Sequence, residues 1–135
     1  MQASEKECIF CRIIAGEIPD YRIWENENFI ATLDIRPIND GHTLIIPKEH
    51  EDYVFDLPMP IYSKLFSAGK LLAPVIQQAI NCKRVGMVIE GFGVPHAHLH
   101  LVPINHGNEL DPHRAHEVLE GELQSMQKKL KKFLP

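Results

Sequence analysis

Three histidines stand at alternate positions in the run His96-Ala97-His98-Leu99-His100-Leu101-Val102-Pro103. In an extended segment alternate side chains share a face, so these imidazoles would lie together, opposite Ala97, Leu99 and Leu101. An imidazole titrates near neutral pH and can serve as nucleophile, acid, base or metal ligand. Such a row is therefore a concentrated reactive surface backed by a core-forming one. The preceding Gly91-Phe92-Gly93-Val94-Pro95 gives it a shaped entry. A second group of reactive side chains is the Cys-x-x-Cys of Cys8 and Cys11. A redox role calls for a strand before the pair and a helix N-terminus after it, which this start does not supply. Two thiolates joined by two imidazoles would instead complete a tetrahedral zinc site, with the choice of imidazoles open.

The elements that must position these groups follow from periodicity. Ile9, Phe10, Ile13 and Ile14 have short-helix spacing, with Gly16 as a stop. Tyr21 to Glu25 and Phe29 to Leu33 read as strands joined into a hairpin by Asn26-Glu27-Asn28. Asp34 to Gly41 is a loop, and His42 to Pro47 resumes as a strand. From about Pro60 to Cys82 apolar residues recur at helical spacing, and Pro74 is expected to kink or divide that helix. Val85 to Glu90 is a strand, the histidine run is a strand, and the stretch after Pro103 to about Pro112 is a loop. A last amphipathic helix is expected from about Arg114 to Leu134, with Val118, Leu119, Leu123, Met126, Leu130 and Phe133 on its apolar side. The expected class is α+β: about five antiparallel strands and two main helices, both helices on one face of the sheet.

The chain has 135 residues, enough for one domain with a true core. Its net charge is -4, and no basic stripe runs along it, so nucleic acid is excluded as a partner. The Lys128-Lys129-Leu130-Lys131-Lys132 run is read as a solvated helix face. No apolar run reaches membrane-spanning length, and Met1 to Glu7 lacks signal-peptide character, so a cytoplasmic location is expected. The odd count of 3 cysteines argues against a disulfide framework.

The His-x-His-x-His run followed by two apolar residues resembles the signature of the histidine triad (HIT) family of nucleotide hydrolases and transferases. Two further blocks carry the likeness. Cys8 to Pro19 is similar to the start of bacterial members, and Leu33-Asp34-Ile35-Arg36-Pro37 with Gly41 to His50 resembles the family's central hairpin. The resemblance covers roughly residues 8 to 103, which would form the core of a single domain spanning 1–135, with 104–135 as a C-terminal loop and helix. It is strongest toward the small histidine triad nucleotide-binding branch.

That resemblance implies a histidine-triad-like fold and a set of roles. His98 would attack the α-phosphorus of a purine nucleoside phosphoramidate or related nucleotide, forming a nucleotidyl-histidine that water then resolves. His42 and His100 would hold phosphate oxygens. Phe10, Ile13 and Ile35 would flank the base and Asp34 would accept hydrogen bonds from the ribose. In metal-bearing members the cysteine pair is completed by the positions occupied here by His50 and His96, giving a structural zinc on Cys8, Cys11, His50 and His96. The implied partners are a purine nucleotide such as AMP or GMP and a second copy of the chain. One departure stands out. Many members have a longer Gly-rich loop ending in a hydroxyl residue, and Gly93 falls at that place, offering phosphate only a backbone N–H. Two alternatives use the same residues: a metal-dependent hydrolase with a catalytic ion on His96, His98 and His100, and a nucleotide-binding regulatory module of little activity.

Overall fold

A computed structural model describes residues 7–135; the leading Met1 to Lys6 lies outside the described residues. The elements follow in order as α1 (Ile9–Ile14), β1 (Arg22–Glu25), β2 (Phe29–Leu33), β3 (Thr43–Pro47), a 3-10 turn (Val54–Asp56), α2 (Met59–Ile80), β4 (Arg84–Val88), β5 (Leu99–Ile104), a second 3-10 turn (Pro112–Arg114) and α3 (Glu120–Lys131). The five strands form one sheet in the order β1-β2-β3-β5-β4, and every neighbouring pair is antiparallel. The α+β architecture expected from the sequence is the one observed.

The β1–β2 hairpin is closed by Asn26, whose side-chain oxygen accepts from the N–H groups of Asn28 and Phe29 at 2.9 and 2.8 Å. This is the use of an amide side chain as a turn template. Alternation along the strands then sorts side chains between two layers. Phe29, Ala31, Leu33, Ile45, Leu99 and Leu101 face the main core with Leu65, Leu72 and Ile76 of α2 and Leu123 and Leu130 of α3. Ile30, Leu44 and Ile46 point the other way, into a smaller cluster with Cys8 and Phe10. The long helices do share one face, as expected. The opposite face is not left to solvent over β2 and β3, whose residues are all buried.

Three local expectations are corrected. Pro74 does not divide α2, which runs for 22 residues from Met59 to Ile80. The proline lies on the exposed side of the helix, where the carbonyl it leaves without an N–H partner can be hydrated. Meanwhile Leu72, Val75 and Ile76 around it are held in the core. The last helix begins at Glu120 rather than near Arg114, because the chain makes a 3-10 turn at Pro112–Arg114 and stays extended through Leu119. Leu119 and Phe133 are accordingly exposed instead of joining its apolar side. Finally, β5 starts at Leu99, so His96 and His98 precede the paired strand.

One glycine fixes the entry to β3. Gly41 has φ of +94°, and a Cβ there would meet the Ile80 side chain at 2.8 Å. Both the backbone conformation and the close approach of α2 demand glycine. Gly41→Ala is expected to lower stability by about 2 kcal/mol in urea denaturation, whereas Gly16→Ala, where a Cβ meets nothing, costs about 1 kcal/mol for its positive φ alone. Equal losses at the two positions would show that the Ile80 contact does not matter.

Candidate active site and metal cluster

A cleft of about 530 Å³ lies on the sheet face away from α2 and α3. Phe10, Ile13, Asp34, Ile35, His42, Gly93, His98 and His100, all singled out from the sequence, line it together. The wall is formed by α1, the floor by β3 and β5, and one side by the loop that follows β2. Phe10 is buried, its ring edge-on to His98 with centroids 4.9 Å apart. Ile35 is 62% exposed, so it sits at the rim of the cleft and not within a core.

Hydrogen bonds assign the proton on each cleft histidine. The backbone N–H of Ile38 donates to His42 Nδ1 at 3.0 Å, which makes that nitrogen an acceptor and leaves the proton of neutral His42 on Nε2. His42 Nε2 lies 2.9 Å from His100 Nδ1, so it donates there, and His100 keeps its own proton on Nε2. The two imidazoles thus form a directed chain that begins at a main-chain amide and ends in an N–H donor on a cleft-lining residue. For His98 the logic is reversed. Its Nδ1 is 2.7 Å from the carbonyl oxygen of His96, which can only accept, so Nδ1 carries the proton and Nε2 the lone pair.

Burial keeps these rings neutral. It pushes His42 and His100 down to about 4, reinforced by the neighbouring imidazoles, and lowers His98 as well. Burial raises Asp34, opposed by the Arg36 N–H that donates to its Oδ1 at 2.9 Å. The other oxygen, Oδ2, lies 3.6 Å from His42 Nε2, beyond good hydrogen-bonding length, and remains available to a ligand.

His96 belongs to a different group. Its Nδ1 is 3.3 Å from Cys8 Sγ, 3.5 Å from Cys11 Sγ and 3.1 Å from His50 Nδ1, and His50 Nδ1 is 3.2 Å from Cys11 Sγ. Tetrahedral zinc with ordinary bond lengths separates two nitrogens by about 3.3 Å and a nitrogen from a sulfur by about 3.6 Å. The ligand atoms of Cys8, Cys11, His50 and His96 all lie within 4.8 Å of one another, so this donor set fits such an ion. The His96 Nε2–H donates to the Pro47 carbonyl at 2.7 Å, which turns the Nδ1 lone pair toward the thiols. His96 is therefore directed away from the group containing His98 and His100, and the three do not share a ligand set among the described residues.

Gly93 lines the cleft, and a Cβ there would meet nothing within 4 Å. The lack of a hydroxyl at that point is therefore not imposed by packing. His106, His113 and His116 are exposed, in keeping with the surface role read from the sequence. Not foreseen were Val88, Leu110, Pro112 and Ala115 on the cleft wall. Val88 lies in a strand expected from the sequence, with nothing to mark its face as cleft, and Leu110, Pro112 and Ala115 carry no motif or periodicity that could have marked them.

The antiparallel sheet, with the cleft histidines on one face and the long helices on the other, has counterparts among solved structures of histidine triad proteins. The HIT domain profile matches residues 15–107, and the chain belongs to that family. Adenosine 5'-monophosphoramidase HNT1 of Candida albicans is 36% identical over 110 residues, spanning 75% of this chain and 72% of that protein. A crystal structure of a Hit-like protein from Bartonella henselae superposes with a TM-score of 0.87 at 27% identity, covering 98% of this chain and 100% of that one. A zinc-bound histidine triad family protein from Mycobacterium smegmatis gives a TM-score of 0.83 at 29% identity, covering 96% and 94%.

The sign of the histidine shifts makes a stability prediction. His42 and His100 bind protons near pH 6.5 when unfolded and only at about 4 when folded. The unfolded chain then takes up protons first, so the stability they contribute is complete above pH 6.5 and is lost as pH falls toward 4. In urea titrations the wild-type midpoint should drop across that window, and the His42→Gln, His100→Gln double variant should show a shallower decline. Parallel declines would mean that neither ring is held neutral by burial.

Proposed function

We propose that the protein is a nucleotidyl hydrolase or transferase that works through a covalent adduct on His98, with purine nucleoside phosphoramidates as substrates. The observation that carries this reading is the opposed protonation of the cleft histidines: a lone pair on His98 Nε2 next to an N–H donor on His100 Nε2. A nucleophile without its proton beside a fixed donor is the pairing that attack on phosphorus needs. The activity printed for the Candida albicans relative supports the same class.

In the first step His98 Nε2 forms a bond to the α-phosphorus while the bond from phosphorus to the leaving amine breaks, the amine keeping the electron pair and taking a proton from water. The His98 Nδ1–H bond to the His96 carbonyl stabilises the positive charge that develops on the ring. His100 Nε2–H donates to a non-bridging phosphate oxygen, and Gly93, which lines the cleft, offers its N–H to another. Water then attacks the phosphorus while the bond to His98 Nε2 breaks with its electron pair returning to the ring; the proton shed by that water neutralises the hydroxide left by the first step, and the nucleoside monophosphate is released with His98 neutral. Asp34 Oδ2 receives a ribose hydroxyl, and Phe10, Ile13 and Ile35 enclose the base.

We also propose that the Cys8, Cys11, His50 and His96 cluster holds zinc in a structural role. A bound ion there would cross-link α1, the segment after β3 and the approach to β5. A catalytic metal on the triad is disfavoured by the orientation of His96. The reading extends to a homodimer: β4 is a sheet edge with Met87 half exposed, the kind of edge that a second copy covers.

His98→Ala should reduce turnover of adenosine 5'-phosphoramidate by about a thousandfold or more while AMP affinity stays within about threefold. Mass spectra of rapidly quenched wild-type reactions should show a nucleotidyl adduct on His98. Turnover without any adduct across several nucleotides would rule out the covalent route. For the metal, elemental analysis should find about one zinc per chain, lost together with thermal stability in Cys8→Ala and Cys11→Ala. Unchanged zinc content in both variants would overturn the ligand assignment, and unchanged stability on zinc loss would overturn the structural role.

A further inference from the structure

The segment from Asn105 to His116 doubles back and crosses one end of the cleft. Leu110, Pro112 and Ala115 of this strap are among the lining residues. Glu109 is the centre of its folding. One carboxylate oxygen accepts the N–H groups of Asn105 and His106 at 2.5 and 2.6 Å. The other accepts from Asn39 Nδ2 at 3.2 Å and faces Arg114 Nη2 at 3.4 Å. Arg114 in turn donates to Asn39 Oδ1 at 2.8 Å, and the His116 N–H donates to the Pro37 carbonyl. Asn39 also reaches the Pro103 carbonyl at 2.8 Å. The strap is thereby fastened to the loop whose Ile38 amide orients His42.

The position of Leu110 follows from the sheet. Its two methyls sit over Gly86 of β4, where a Cβ would meet them at 3.0 and 3.1 Å. Gly86 pairs with Val102, and two residues further along β4 Val88 pairs with His100. Crossing the sheet from β2 to β4, the cleft passes Asp34, then His42 and His100, then Val88 and Leu110. If the nucleoside lies on the Asp34 side and phosphorus at His98 and His100, the remaining space is that over β4, bounded by Leu110.

We infer that the strap forms the leaving-group subsite of this cleft, with Leu110 as its specificity-determining side chain and Glu109 as a positioning residue. The inference rests on the proposed phosphoramidase reading. The side chains of Val88, Leu110, Pro112 and Ala115 carry no charge and no hydrogen-bond donor, while Glu90, two residues past Val88, adds a carboxylate to the cleft lining, so this end accepts an apolar substituent on the amine and disfavours an anionic one. The extent of that substituent is limited by the Leu110 methyls, which the lack of a side chain at Gly86 lets settle onto β4.

The test compares adenosine 5'-phosphoramidate with its N-(2-indolylethyl) derivative. Leu110→Ala should raise kcat/KM for the bulky substrate relative to the parent by about fivefold or more. Gly86→Ala, which lifts Leu110 from its seat, should shift the same ratio without removing any group from the strap. Glu109→Gln should raise KM for the bulky substrate more than it changes kcat, as a loosened wall requires; equal loss on both substrates would make Glu109 merely structural. An unchanged ratio in Leu110→Ala overturns the subsite. If the wild type turns over neither substrate, the hydrolase reading fails alone. The ratio is then taken from calorimetric binding of adenosine 5'-carbamate analogues bearing the same two amines, and an unchanged binding ratio again overturns the strap.

Discussion

The constraint on which the site depends is the double pairing of β5. It is bonded to β3 on one side and β4 on the other, so its side chains can point only into the α2 layer or away from it. Leu99 and Leu101 are drawn into the main core, and His100 is forced onto the opposite face, with His98 just ahead of the strand on the same side. A slip of one residue would exchange apolar and imidazole faces and bury unpartnered rings against α2. The hydrophobic contact of Leu99 and Leu101 thus holds the chemistry in register, although neither residue lines the cleft.

The sheet, the hairpin and the two layers were legible because their signal is local and repetitive: alternation in Phe29 to Leu33, turn chemistry at Asn26, helical spacing from Leu65 to Ala79. The ligand and cleft residues were also accessible, since Cys8, Cys11, His42, His50 and the triad are rare types in a recognisable order. What escaped notice depends on contacts between distant residues. His96 and His98 precede β5 because the Ala97 N–H is taken by the Glu51 carbonyl instead of a neighbouring strand. Pro74 stays inside α2 because Leu72, Val75 and Ile76 are packed on either side of it. The strap has no periodicity at all, and its path is set by side-chain hydrogen bonds from Asn39, Glu109 and Arg114 that span up to 75 residues in sequence.

Burial on the cleft side has an electrostatic consequence. Apolar surroundings disfavour imidazolium, and the rings are further paired with groups that leave each with one defined proton. A chain of neutral rings can transmit orientation from the Ile38 amide through His42 to His100 without placing a fixed positive charge beside His98. Positive charge would attract a phosphate in the ground state, but on the proposed mechanism it would also weaken the lone pair of His98. Neutral donors held in position reserve their strongest interaction for the charge that develops during transfer.

The cysteine–histidine cluster and the cleft meet at one residue. His96 offers Nδ1 to the cysteine pair, Nε2–H to the Pro47 carbonyl, and its own carbonyl oxygen to His98 Nδ1. Each bond fixes a different atom, and together they leave the residue little freedom to rotate. The tautomer of His98 is therefore set by a backbone oxygen whose position is secured by side-chain contacts outside the cleft. Phe10 strengthens the connection, since its ring faces both His96 and His98 at centroid distances of 6.0 and 4.9 Å while Cys8, capping α1, and Cys11, within it, supply the thiols. Loosening the cysteine cluster would then be felt as a change in the direction of the His98 lone pair, with no ligand of the cluster ever touching phosphate.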